Sequence, residues 1–198
     1  MDSSLTMEKH VNNVSRICHY HLRNISRIKP YLNDNACKSL VQATVVSRLD
    51  YANGILYGIT DQLMSKLQRV QNTAARIVTG TKRRDHITPV LFRLHWLPVH
   101  CRVQYKILLY AYKALNGTAP VYIEDLIKRH VPSRKLRSTD QCLLSSQRTR
   151  TKRHGNRSFK QVAPGLWNAL PLAVKQASSI NVYKKSVKTL LFKSYYNV

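Results

Sequence analysis

Residues 60–80 place the strongest constraint on the fold, because their apolar side chains recur with the period of an α-helix. One face collects the apolar residues Leu63, Leu67, Val70, Ala74, Ile77 and Val78. The opposite face collects Gln68, Arg69, Asn72, Thr73 and Arg76. Thr60 and Asp61 supply a helix N-cap, and Gly80 stands where a glycine ends a helix. The stretch therefore predicts an amphipathic helix bounded by these signals.

The same reasoning predicts helices along most of the chain. They cover 6–29, 35–53, 89–97, 99–116, 121–128 and the residues that follow Ser178 and Ser179. Pro30, Asn53-Gly54 and Pro98 end the first three, Thr88 caps the third, and Gly117 lies beyond the fourth. The helix at 99–116 is apolar around nearly its whole circumference, which predicts a buried central position. Its tyrosines (Tyr105, Tyr110 and Tyr112) are expected to pack in the core with hydroxyls at the rim, with base stacking as the alternative.

The predicted fold class is mainly α, a helical bundle followed by an irregular basic segment and a C-terminal amphipathic helix. The bundle is predicted at 1–130, and a basic linker at 131–160 includes weakly alternating stretches at 141–145 and 146–151 that suggest short strands. The part at 161–198 combines an apolar anchor around Trp167 with the last helix. Trp167 is expected to dock this tail onto the bundle.

Charge identifies the class of partner. The chain has 33 Lys and Arg against 9 Asp and Glu, a formal net charge of +24. Such an imbalance indicates a polyanion, either nucleic acid or, less well supported, an anionic membrane surface. No apolar run approaches the roughly 20 residues of a membrane span. The first residues lack the pattern of a signal peptide, so an intracellular location is expected, nuclear or cytoplasmic.

On the first predicted helix the cations form a stripe opposite the apolar face that no carboxylate shares, whereas an ordinary solvated face mixes both signs, and cations recur on the outer faces of the later helices. We therefore predict backbone contacts to nucleic acid from the bundle residues Lys9, Arg16, Arg23, Arg27, Arg69, Arg76, Arg102, Lys106 and Lys113. The densest cluster adds Arg148, Arg150, Lys152, Arg153 and Arg157. From Gln141 to the C-terminus no Asp or Glu occurs. The alternative is that these residues form solvated faces and a disordered basic loop.

Catalytic, metal and cofactor sites are not predicted. Polymerase and nuclease chemistry needs clustered carboxylates to hold two divalent metals, and the nine acidic residues here are scattered. Cys18, Cys37, Cys101 and Cys142 are too far apart in sequence for a Cys-x-x-Cys metal site, so reduced thiols are expected. Cys18 and His21 would share a helix face, but two ligands do not complete a zinc site. The chain is not expected to be an enzyme by itself.

Five separated blocks of sequence resemble a known family. In chain order they read SRLDYANGILYG, LQRVQNTAARIVTG, HITPVLFRLHWLPV, YKALNGTAPVYIEDL and APGLWNALP. Their order and approximate spacing resemble the C-terminal part of reverse transcriptases from jockey-like LINE-class (non-LTR) retrotransposons. The block at 47–58 departs mildly, since Ala52 and Gly54 stand where family members often carry Cys and Ser.

The resemblance implies a thumb and the region beyond it, without the catalytic palm. The palm's Tyr-x-Asp-Asp motif is not found, and the similar string Leu49-Asp50-Tyr51-Ala52 lacks the paired carboxylate. We therefore expect a fragment of an RNA-directed DNA polymerase that grips the backbone of RNA or an RNA–DNA template–primer with little base specificity. The missing palm would be its protein partner. The alternative is a transposon remnant without present function, or a helical protein-interaction module.

Overall fold

The computed structural model describes residues 6–131, 141–147, 149, 151 and 154–198, and this part of the chain is mainly helical, as predicted. Its α-helices are α1 Glu8–Ile28, α2 Asp34–Val41, α3 Ser47–Asp50, α4 Asp61–Thr79, α5 Thr88–Arg93, α6 Val99–Leu115, α7 Val121–Glu124, α8 Phe159–Asn168, α9 Leu172–Lys175 and α10 Ile180–Tyr196. No helix within the described ranges combines the length and apolar character needed to cross a membrane.

The chain divides into two compact units, residues 1–103 and 104–198, with the boundary inside α6. The sequence-based division at residues 130 and 160 remains a prediction.

In the first unit, α1 and α4 pack side by side and run in the same direction. The Lys66 side chain of α4 donates to Asn12 Oδ1 near the start of α1, at 3.0 Å. Just past the other end of α1, Lys29 Nζ donates to the Val78 carbonyl at 3.2 Å. The faces between these contacts supply core residues: Val11, Cys18, Leu22 and Ile25 from α1, and Leu67, Val70 and Ala74 from α4. The predicted apolar face of α4 is thereby confirmed in its main members.

The helix predicted at 35–53 is more irregular than expected. Its start lies within one residue of the prediction, at Asp34, where the Asn33 side chain accepts from the Ala36 N–H at 2.7 Å. Between α2 and α3, however, residues Gln42–Val46 form a π-helical segment. The Ser47 hydroxyl donates to the Ala43 carbonyl at 2.5 Å, the acceptor that its own N–H would use in an α-helix. The Ser47 N–H instead bonds to Gln42, one residue further back.

The end of this helix also differs from the prediction. It ends at Asp50 rather than Asn53, because Tyr51 is extended and Ala52 adopts a left-handed φ of 49°. Asn53–Leu56 then form a 3₁₀ turn.

The termini of α4 and α5 show which cap signals are reliable. Gly80 has a φ of 68° and ends α4 as predicted. Thr88 is not the cap of α5, because Ile87 occupies the N-cap position. Pro98 does not end α5 either, since the helix stops at Arg93 and His95 takes a φ of 52°. The Trp96 N–H bonds to the Leu91 carbonyl and the His95 N–H to that of Phe92, which is a Schellman motif formed without glycine.

The second unit is built around three aromatic rings. Tyr183 of α10 stacks on Tyr112 of α6 at a centroid distance of 4.1 Å, and Trp167 of α8 lies 6.1 Å from Tyr183. The polar atoms of all three are satisfied by carbonyls: the Tyr183 hydroxyl donates to Leu108, the Tyr112 hydroxyl to Ala177, and Trp167 Nε1 to Cys142. Tyr112 therefore takes the core role expected of it, and Trp167 is a buried anchor.

Two local predictions in this unit are wrong. The helix beginning at Val121 ends at Glu124 instead of residue 128. In place of strands, the described residues of 141–151 contain a single isolated antiparallel bridge, between Leu144 and Arg129. By contrast, the predicted cap of the last helix is confirmed, since the Ser179 side chain accepts from the Val182 N–H at 3.3 Å.

Candidate nucleic-acid interface

Four predicted cations lie on the outer face of α1 and form what we term the α1 cation stripe: Lys9, Arg16, Arg23 and Arg27. All four are exposed. They face away from the buried side of the helix, which carries Val11, Cys18, Leu22 and Ile25. At 1.5 Å per residue the stripe extends over roughly 27 Å, with steps of about 10 Å between its first three members.

The stripe has no carboxylate partner within the described residues. The ion pairs in that part of the chain are Lys29 with Asp34 and Arg102 with Asp50, neither of which involves a stripe residue. Arg16 donates to Asn13 Oδ1 at 3.1 Å, a neutral contact that holds the guanidinium on the outer face. No carboxylate among the described residues therefore neutralises the positive charge of the stripe.

A fifth residue shares this face and was not singled out from the sequence. Tyr20 is 58% exposed, and it lies one helical turn beyond Arg16 and one before Arg23. The available signal was its spacing from Arg16 and Arg23, which places an aromatic ring inside a row of cations.

The two predicted cations of α4 have different environments. Arg69 is exposed. The Arg76 guanidinium instead donates to the carbonyl oxygens of Lys82 and Asp85, at 2.9 Å for the latter. Arg76 thus secures the loop that follows α4.

This loop presents three exposed cations, Lys82, Arg83 and Arg84. Besides the contacts from Arg76, the loop is closed by the Lys82 N–H, which donates to Asp85 Oδ2 at 3.1 Å, and by the Asp85 N–H, which donates back to the Lys82 carbonyl at 3.2 Å. Sequence reasoning missed this triplet, although three consecutive cations before an aspartate were visible. These hydrogen bonds fix the backbone of the loop, and its three cations therefore form a second candidate contact surface for a polyanion.

Arg102 is engaged inside the first unit. Its Nε donates to Asp50 Oδ1 at 2.7 Å and its second terminal nitrogen to Oδ2, which gives a bidentate pair. Asn53 also donates to Asp50 Oδ1, at 3.3 Å. The carboxylate of the Leu49–Ala52 string is therefore occupied by two side chains of the protein.

The remaining predicted cations lie in the second unit or outside the described residues. Lys106 and Lys113 are half-buried on α6, and Lys106 Nζ stands 5.9 Å from the ring centroid of Tyr110. Arg157 is half-buried in a 3₁₀ turn at Gly155–Arg157. Arg148, Arg150, Lys152 and Arg153 lie outside the described residues.

The cysteines and histidines do not gather into a metal site in the described part of the chain, where no three His, Cys, Asp or Glu side chains are suitably grouped. Burial raises the pKa of the Cys18 thiol to about 11, and that of Cys101 likewise to about 11. Cys18 donates to the Val45 carbonyl, within the π-helical segment, at 3.9 Å. Burial lowers the pKa of His100. Cys18 and Cys101 therefore behave as core thiols.

Comparisons with protein-family models, curated protein sequences and solved structures yield no match to this chain.

Proposed function

We propose that this chain is a nucleic-acid backbone-binding module whose principal contact surface is the α1 cation stripe. The observation that carries the proposal is the exposed row of four cations without a carboxylate partner in the described residues. Phosphates of RNA, or of an RNA–DNA hybrid, would be its ligands, and the grip would be largely independent of sequence.

The stripe carries an electrostatic cost that a polyanion would remove. Arg23 and Arg27 are four residues apart on one helix, and a like-charge pair at this spacing destabilises a helix by a few tenths of a kcal/mol, roughly 0.2–0.5. Binding to phosphates turns this repulsion into attraction and releases condensed counterions from the nucleic acid. The held loop at Lys82, Arg83 and Arg84 adds further positive charge to the same unit.

The resemblance to LINE-class reverse transcriptases supports a more specific role. In that setting the chain corresponds to thumb and post-thumb regions, which would hold template and primer for a palm supplied by the parent polymerase. The role proposed for this chain is binding rather than catalysis, without a cofactor.

The proposal is tested by fluorescence anisotropy of the purified full chain with a labelled RNA–DNA hybrid over a salt series. We expect log affinity to fall linearly with log salt, with a slope of about −0.7 to −0.9 for each phosphate neutralised. A scrambled peptide with the composition of α1 is the control for unspecific attraction. Binding no tighter than that of the peptide would refute the proposal and favour a remnant without nucleic-acid function.

A further inference from the structure

Tyr20 occupies the middle of the α1 cation stripe. It lies eleven positions after Lys9, which at 3.6 residues per turn places the two within about 20° of each other around the helix. Arg16 and Arg23 lie one turn away on either side, and Arg27 lies two turns away. An aromatic ring is thus interleaved with cations on a solvent-facing surface.

Packing among the described residues does not account for this ring. The Tyr20 ring approaches His21 edge-on, with centroids 5.6 Å apart, and the side chain remains 58% exposed. Within the described residues its hydroxyl makes no hydrogen bond, whereas the hydroxyls of Tyr112 and Tyr183 each donate to a carbonyl. Tyr20 therefore has the exposure and the surroundings of a ligand contact rather than those of a core residue.

We propose that Tyr20 stacks against an unpaired base while the neighbouring arginines hold the phosphates of the same strand, so that an unpaired stretch gains a contact on the α1 face in addition to the phosphate contacts that a hybrid also makes. The inference rests on the proposed function and specifies its ligand. Aromatic side chains in a positively charged surface are a recurring means of binding single strands, because every base presents a π-face. In a duplex the base faces are stacked on one another, so a ring on this surface gains such a contact only where the strand is unpaired.

The test compares two labelled 12-mers that carry the same phosphates, one of uridines and one of abasic residues, with the full chain at fixed salt. We expect the uridine strand to bind about 5- to 150-fold more tightly than the abasic strand, the range for one stacked base. Tyr20→Ala should remove this preference and Tyr20→Phe should keep it. The slope of log affinity against log salt should be the same in all three proteins, because no charge is changed.

Tyr31→Ala is the matched control, because Tyr31 is 88% exposed but lies beyond the end of α1. It should retain the wild-type preference for the uridine strand. Equal affinity of the wild type for both strands, or an unchanged preference in Tyr20→Ala, would overturn the inference and leave the phosphate grip standing. Absence of salt-dependent binding to either strand would overturn the proposed function as well.

Discussion

Arg102 provides a test of whether an individual cation serves the fold or the ligand. The sequence places it among the nucleic-acid contacts, whereas the structure pairs it with Asp50 in two hydrogen bonds across 52 residues of sequence. We predict that Arg102→Gln destabilises the protein and leaves the salt dependence of nucleic-acid binding unchanged.

The size of the effect follows from the exposure of the pair. Hydrogen bonds between charged groups contribute about 1.5–3 kcal/mol when well shielded. Here the side chains are 20% and 37% exposed, so solvent screening reduces the expectation to about 1–2 kcal/mol. For a cooperative unit of this chain's length, that loss lowers Tm by about 2–8 °C.

A double-mutant cycle separates the pair from its surroundings. Asp50→Asn, Arg102→Gln and the double variant are compared by urea denaturation, and the coupling free energy should be about 1–2 kcal/mol. The same variants are titrated with the RNA–DNA hybrid over the salt series. Unchanged stability of Arg102→Gln, together with a salt slope weakened by about 0.7–0.9, would show that Arg102 contacts phosphate and would contradict its role in stabilising the fold.

Three further results are expected. Tyr183→Phe should lower the free energy of unfolding, measured by urea denaturation, by about 0.5–1.5 kcal/mol, because it removes the hydroxyl's hydrogen bond to the Leu108 carbonyl. Tyr183→Ala should lower it by about 3–5 kcal/mol because the stacked ring is lost as well, and equal losses would contradict this packing. Arg76→Gln should accelerate amide hydrogen exchange at Asp85 without affecting the middle of α4, and an unchanged rate would show that the loop is held by other contacts. The raised pKa of Cys18 and Cys101 means that the folded state favours the neutral thiols, so stability should be intact below pH 9 and decline towards pH 11, by about 1 kcal/mol per thiol at pH 10. Urea midpoints at pH 8 and pH 10 measure this decline, and Cys18→Ala with Cys101→Ala should reduce it; burial also raises the pKa of Tyr105 and Tyr183, so a smaller decline should persist.

Much of the fold follows from local signals in the sequence. The side chains of Asn33 and Ser179 each accept a hydrogen bond from the first turn of a helix, and Gly80 adopts the left-handed conformation that ends another. These contacts and conformations involve only residues that are close in sequence, so sequence patterns predict them. Where two local groups compete, the prediction was wrong. At the π-helical segment the Ser47 hydroxyl and the Ser47 N–H bond to two different backbone carbonyls, and the periodicity of apolar residues does not predict that arrangement.

The candidate site was harder to predict from the sequence, because contacts with residues elsewhere in the chain decide which of its cations are already bonded within the protein. Arg16, Arg23 and Arg102 have the same chemistry in the sequence, yet among the described residues of the first unit only Arg102 of these three pairs with a carboxylate. Similarly, Arg76 resembles Arg69 on the helical wheel, but the loop after α4 turns back to accept its hydrogen bonds. Helical spacing assigns a face, whereas tertiary contacts decide which charges on that face remain for a ligand.

The most direct test of the central claim is the salt dependence of hybrid binding after removal of the α1 cation stripe. The stripe variant replaces Lys9, Arg16, Arg23 and Arg27 with Gln. The control variant makes the same change to the α10 lysines Lys184, Lys185, Lys188 and Lys193, which lowers the net charge equally. We predict that the stripe variant weakens the slope of log affinity against log salt by about 3, and that the control weakens it by less than the roughly 0.7–0.9 expected for one phosphate contact. An equal change in both variants would show that binding reflects net charge alone and would contradict a localised phosphate grip.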